Sequence, residues 1–354
     1  MKLLNGYIAK EVIKSSLIAL IILLTLVNFF TLTDELRDLG QGNYGLVEVF
    51  QYVALVSPRV GYDLMPAAAL LGSVFSLGAM ASNRELTAMR SAGVSLLQII
   101  FGVLRAGVVL LVITVLIGEL LAPVSERYAQ VLRATSQTEK VASFTQYGFW
   151  VRDGKKFINI RQFNRSDELG DINIFELDDD HHLRSAIHAD RAIYNGREWS
   201  LDSINQTTFE GNKFVAKSMA QATWESMLDP GLLSIVVVKP ENLSIIELNR
   251  YIQFLRDNNQ KSRVFEAALW RRIFNPVAIL VMLMVAVPFV MTGNRTVAIG
   301  QRIVAGVIIG LAFLLFDRIF GHMGIVYNLN PLFAAAFPIS LFLILAVAGI
   351  QRVR

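Results

Sequence analysis

The stretch SSLIALIILLTLVNFFTLT, residues 15–33, lies between Lys14 and Asp34 and contains no charged side chain. A helix rises about 1.5 Å per residue, so roughly 20 apolar residues cross the hydrocarbon core of a bilayer. Three more runs have this character: residues 64–83 between Asp63 and Arg84, 273–294 between Arg272 and Arg295, and 319–351 after Arg318. The last exceeds one crossing. Pro331, whose fixed φ suits a first helical position, predicts a helix from there to about Gly349. Two further runs carry charge: about Leu96 to Pro123 contains Arg105 and Glu119, and Ile303 to about Phe320 contains Asp317 and Arg318. Such side chains snorkel to the interface. They also mark ion paths, so Glu119 and Asp317 stand as candidates for one. The count is six spans.

Composition agrees. Of 354 residues, 54% are hydrophobic, above the 45–50% of ordinary soluble domains. Mean hydropathy is +0.48. The net charge of +4 comes from basic residues that flank apolar runs, which reads as membrane topology and excludes a nucleic-acid partner. With no cysteine, disulfides, thiolate metal sites and cysteine nucleophiles are excluded. The first run is longer than a signal-peptide core and no A-x-A pattern follows it, so it reads as a retained anchor. Placing both termini in the cytoplasm puts Lys2, Lys10, Lys14, Arg84, Arg90, Arg295, Arg302, Arg352 and Arg354 on that side. The first outer loop, residues 34–57, then holds only Arg37 against Asp34, Glu35, Asp38 and Glu48. Lys261, Arg263, Arg271 and Arg272 fall just outside the fourth span and oppose this rule.

Between the third and fourth spans the period changes. Strand-like segments alternate with turn dipeptides: Asp153-Gly154, the acidic 178–180, Asn195-Gly196 and Gly211-Asn212. Residues 148–160, 172–177, 191–194, 199–204, 206–210 and 213–218 read as short strands of a sandwich, jelly roll or open barrel. Ser244 and Glu247 form a capping box before a short helix with Leu248, Tyr251, Ile252 and Leu255 on one face. The chain is thus an α+β membrane protein, with three spans on each side of an inserted β-domain. Its divisions are residues 1–125, 126–243 and 244–354.

Catalytic signatures are missing. There is no phosphate-binding G-x-x-x-x-G-K-[ST] loop, so the chain is not an ATPase by itself, and no H-E-x-x-H, G-x-S-x-G or dinucleotide glycine pattern occurs. No catalytic residue, metal ligand or bound cofactor is expected. His181, His182 and His188 beside the acidic turn read as a solvated hairpin tip rather than a metal site. Ala67–Ala69, Gly72 and Gly78 report close helix packing. The loop after the second span, NRELTAMRSAG (83–93), reads as a brief helix capped near Ser82 or Asn83 and ended by Gly93. Leu86 and Met89 share one face, and Glu85 and Arg90 are available to a partner. On residues alone it is either a docking element or an ordinary connector lying on the membrane surface.

That loop, together with MPAAALLG (65–72), resembles the lipopolysaccharide export permeases, the LptF/LptG family, and the resemblance extends over the whole chain. Asp34-Glu35-Leu36-Arg37, Gly40-Gln41-Gly42, and Gly118-Glu119 leading to Ala122-Pro123 are closer to the LptG branch than to LptF. The resemblance implies a permease subunit that extracts lipopolysaccharide from the outer leaflet of the bacterial inner membrane. It implies an LptF-like permease partner, an LptB-like ATPase dimer that uses ATP and Mg, and LptC-like and LptA-like periplasmic jelly-roll proteins, the β-domain being a periplasmic jelly roll. Arg84, Glu85, Leu86, Met89 and Arg90 match the coupling helix that docks the ATPase. Arg37 and Arg133 match basic positions for lipid phosphate, with Asp34 and Arg127 beside them. Asp38 and Gln130 stand where basic residues can occur. Three rivals remain: the LptF-type paralogous subunit of the same transporter, an ion-coupled secondary transporter working through Glu119 or Asp317, which predicts inverted repeats that the residues lack, and a non-transporting scaffold.

Overall fold

The computed structural model describes residues 2–137, 149–165, 168–178, 180, 182–196, 198–210, 213–224, 239–291 and 299–353. Helices α1 (Lys2–Glu35), α2 (Leu46–Ser82), the short α3 (Glu85–Ser91) and α4 (Leu96–Leu116) come first. One π turn, Ile117–Leu121, joins α4 to α5 (Ala122–Gln137). Six strands follow, then α6 (Ile245–Asp257), α7 (Arg263–Met291), α8 (Ile299–Val326) and α9 (Pro331–Val353). Among the described residues six helical stretches are long and apolar enough to cross a membrane. α9 starts at Pro331, as its ring geometry predicts. Ser95 and Gln98 cap α4 reciprocally, the Ser95 N–H donating to Gln98 Oε1 at 2.9 Å. Ser244 and Glu247 do the same for α6.

The helices run beyond the apolar stretches that announce them. α2 extends outward to Leu46, and the third span continues through the π turn to Gln137, twelve residues past the boundary expected at 125. A helix of 37 residues is about 55 Å long, far more than a bilayer core needs. The spans therefore project from the membrane.

α2 and α7 form the centre of the bundle. Ala67, Ala68, Ala69 and Leu70 of α2 are buried, as are Ile279, Met282, Leu283 and Ala286 of α7. α1 and α4 pack on one side, α8 and α9 on the other. Gly72 is where α1 and α2 touch, because a Cβ there would sit 2.3 Å from the Ser16 Cα. Gly78, expected to serve the same purpose, faces open space. Replacing Gly72 with leucine is expected to force the two helices apart and cost about 3 kcal/mol, the upper range for overpacking. Melting of the purified chain in detergent checks this, and an unchanged midpoint would mean the contact bears no load.

Strands β1 (Phe149–Asp153), β2 (Lys156–Arg165), β3 (Glu168–Leu177), β4 (Leu183–Tyr194), β5 (Trp199–Glu210) and β6 (Lys213–Trp224) form one antiparallel sheet in consecutive order. Three expected turns are where the dipeptides place them. Gly154 and Gly196 adopt φ of +59° and +94°, values that a side chain disfavours. At the acidic turn, Asp178 Oδ1 accepts from the backbone N–H groups of Asp180 and His182. Gly211-Asn212 and His181 lie outside the described residues, although β5 and β6 pair up to Glu210 and Lys213. The two strands expected at 199–204 and 206–210 are one, because the ladder continues past Asn205. One face of the sheet buries Ile158, Ile160, Ile172, Trp199 and Leu201 against Leu248, Tyr251, Phe254 and Leu255 of α6. Phe265, Ala268 and Leu269, at the start of α7, pack on the same core. α7 thus belongs to the β-domain at one end and to the membrane bundle at the other.

Candidate functional site

The loop between α2 and α4 is built as a rigid platform. Asn83 closes α2, and Arg84, at φ +61°, caps α3; the cap is neither Ser82 nor Asn83 but a residue held in the left-handed region. Non-glycine residues in that region cost of order 1 kcal/mol or more and persist where the surroundings demand it. At the other end Gly93 takes φ +88°. Its N–H bonds the Arg90 carbonyl and the Val94 N–H bonds the Met89 carbonyl, each at 3.0 Å. Leu86 is 6% exposed and joins Ile8, Val12 and Leu96 in the bundle core, with Met89 packed beside it. Both are expected docking contacts, and in the structure they pack toward the bundle. The face left outward presents Arg84, Thr87, Ala88, Arg90 and Ser91, with Glu85 at its edge. Glu85 Oε2 accepts the Tyr7 hydroxyl at 2.9 Å, which ties the foot of α1 to the platform.

At the opposite end of the bundle Arg133 bonds Asp38, the residue that follows Arg37 in the chain. Arg133 donates to Asp38 Oδ2 at 2.6 Å, lies 3.2 Å from Glu35 Oε1 and sits 5.4 Å above the Tyr52 ring. Tyr44 is buried and donates to Glu35 Oε2 at 2.9 Å. Burial, then that hydrogen bond, push its phenol well above the ordinary value, so it stays a donor at any physiological pH. Arg37 is different. Its side chain is 79% exposed and only 3.8 Å from the equally open Asp34. Of the basic pair expected to meet phosphate, Arg37 is open to a ligand and Arg133 is held by two carboxylates. Arg127 pairs with Glu247 at the head of α6, on a separate face of α5. Glu126, next to it, is buried with Asn242 Nδ2, Gln130 Nε2 and Arg59 around Oε1. Asp38 and Gln130, at positions where basic residues can occur, here serve internal contacts.

The charges that opposed the topology also find partners. Arg272, 7% exposed, donates to Glu119 Oε1 at 2.7 Å, and Arg271 meets Asp317 Oδ2 at 2.9 Å. Glu119 Oε2 in turn accepts the Ile245 N–H at the start of α6. The two carboxylates entertained as ion carriers are therefore counter-ions to the two arginines that had no explanation. Each pairing crosses between spans, which no periodicity announces. A groove of about 430 Å³ lies on the β-domain, lined among others by Ile174, Leu201, Ile204, Met219 and Trp224.

Two ends define the site: a capped helix with an outward polar face at the loop side of a six-span bundle, and a polar cluster with one open arginine at the side carrying a β-domain. The chain matches, over residues 6–352, the family described as lipopolysaccharide export system permease LptF/LptG, and it belongs to that family. Its relatives include the lipopolysaccharide export system permease protein LptG of Haemophilus influenzae, 33% identical over 344 residues, 97% of this chain and 96% of the relative. The protein of the same name from Escherichia coli K12 is 30% identical over 352 residues, 99% of this chain and 98% of the relative. The chain is accordingly a multi-pass inner-membrane protein.

Proposed function

We propose that this chain is the LptG-type permease subunit of a lipopolysaccharide exporter, working beside an LptF-like subunit and driven by a separate ATPase dimer. The match along nearly the whole chain to relatives bearing that name carries the reading. Both termini lie in the cytoplasm and the β-domain in the periplasm. The ATPase receives α3 through Glu85, Arg84 and Arg90. Lipid enters from the outer leaflet along α1 and α8, whose apolar side chains are the least covered in the bundle: Ile21, Ile22, Phe29 and Phe30 on one, Val304, Ile308 and Leu311 on the other. In water such surface would be prohibitive; in a membrane it is open to acyl chains or to a second permease. Arg37 takes a lipid phosphate at the outer end, and Arg133 joins it when Asp38 is displaced. The lipid then passes upward to LptC-like and LptA-like periplasmic proteins.

Purification from native membranes followed by mass spectrometry of bound proteins and lipids tests the assignment. Recovery of an ATPase, a second six-span permease and lipopolysaccharide is expected. Recovery of the chain alone with bulk phospholipid would overturn the account of partners and energy source.

A further inference from the structure

Three spans are broken by proline at one level, and each break frees one backbone carbonyl. In α2, Pro66 has no N–H to offer the carbonyl of Tyr62, four residues earlier. In α7, Pro276 leaves the carbonyl of Arg272 in the same position. In the third span the Ala122 N–H goes to the Ile117 carbonyl across the π turn, and the next residue, Pro123, has no N–H; the Gly118 carbonyl is left without a helical donor. Inside a bilayer such groups must be satisfied by protein.

Each is satisfied by a neighbouring broken helix. Asn275 Nδ2 donates to the Tyr62 carbonyl at 3.1 Å, the Tyr62 hydroxyl donates to the Arg272 carbonyl at 2.9 Å, and the Arg272 guanidinium donates to the Gly118 carbonyl. The same guanidinium holds Glu119, reaches the Glu241 carbonyl at 3.3 Å and lies 5.4 Å above the Tyr62 ring. Gly118 permits the contact, since a Cβ there would meet the Tyr62 ring at 2.5 Å. Arg272 is 19 residues, about 28 Å, from the far end of α7, which puts the ring of bonds at one boundary of a hydrocarbon layer about 30 Å thick. Beyond it, α7 enters the β-domain core and Glu119 holds the first N–H of α6.

We propose that Arg272, Tyr62 and Asn275 are positioning residues for export: their reciprocal bonds lock the breaks in spans two, three and four into one joint that fixes the β-domain relative to the membrane bundle. A single proline kink is a weak point where a helix flexes. Three such sites, each with its free carbonyl held by a side chain from another of the three spans, bend only together, so displacement of the spans moves the β-domain as a unit. The link to export rests on the function proposed above; the link to domain position does not.

The chain has no cysteine, so cysteines at the exposed positions Asp190 and Tyr327 report the distance between β-domain and bundle once spin-labelled in the full chain in nanodiscs. Tyr62→Phe removes one hydroxyl and is expected to broaden that distance distribution. Adding Pro276→Ala returns an N–H to the Arg272 carbonyl and is expected to narrow it again. Arg272→Ala should broaden it further; if that variant does not fold, Tyr62→Phe and its rescue carry the test. In the assembly with its permease partner and ATPase, Tyr62→Phe is expected to lower lipopolysaccharide delivered per ATP hydrolysed by about fivefold, the lower range of inter-site coupling. An unchanged distance distribution in Tyr62→Phe would overturn the joint, whatever export does. A broadened distribution with delivery per ATP unchanged would overturn its part in export.

Discussion

Glu85→Lys is expected to weaken ATPase docking to this subunit by about thirtyfold or more while leaving the fold intact. The carboxylate stands at the edge of the outward face of α3 and is held by Tyr7 and by Asn83 Nδ2 at 3.5 Å, so its direction is set before any partner arrives. Reversing the charge at a contact built around an acid costs about 2 kcal/mol or more, roughly thirtyfold in affinity. Leu86 and Met89 keep α3 seated on the bundle, so the variant should insert and melt as the parent does. Tyr7→Phe should weaken docking less, since it frees Glu85 to reorient without removing it. Pull-down of the ATPase with each variant checks the series. Undiminished recovery with Glu85→Lys would remove α3 from the docking surface.

The second large effect is at the outer polar cluster, where substrate and stability separate. Arg133→Ala leaves the buried Glu35 carboxylate with Tyr44 alone among the described residues. A loss of about 2 kcal/mol in stability is expected, less than the 3–5 for a fully buried pair because a third of the arginine side chain meets solvent. Arg37→Ala should leave stability unchanged and lower lipopolysaccharide crosslinking about fivefold, in keeping with about 1 kcal/mol for one cation beside an anionic lipid surface. Asp38→Asn should act in the opposite sense, because it releases half of the Arg133 guanidinium to a phosphate. Photo-crosslinking in membranes distinguishes these outcomes. Equal crosslinking in all three variants would place the lipid elsewhere.

The resemblance read from 65–72 and 83–93 pointed to both ends of the molecule, and the structure then sorted the residues within each. Glu85 and Arg90 remain on an accessible face, whereas Leu86 and Met89 turn inward; a spacing of three puts residues on one face without saying which way that face looks. At the outer end Arg37 and Arg133 look alike as letters. What separates them is Glu35, Asp38, Tyr44 and Tyr52, which reach Arg133 from α1, from the loop after it and from α2. No local signal could have chosen these partners, because they are brought together only by packing of α1, α2 and α5.

By itself the sequence determined much of what depends on neighbours along the chain. Apolar length marked six spans, Ser244 and Pro331 marked helix starts, and Asp153-Gly154 and Asn195-Gly196 marked hairpins. Each of these is a short-range matter of transfer free energy, capping or allowed φ. Only the tertiary structure decided how the buried charges and broken helices are reconciled. Arg272 finds Glu119 across 153 residues, and Tyr62 finds the Arg272 carbonyl across 210. An arginine or a proline within an apolar run announces a cost; the fold alone supplies the group that offsets it, because in hydrocarbon that group must come from another span.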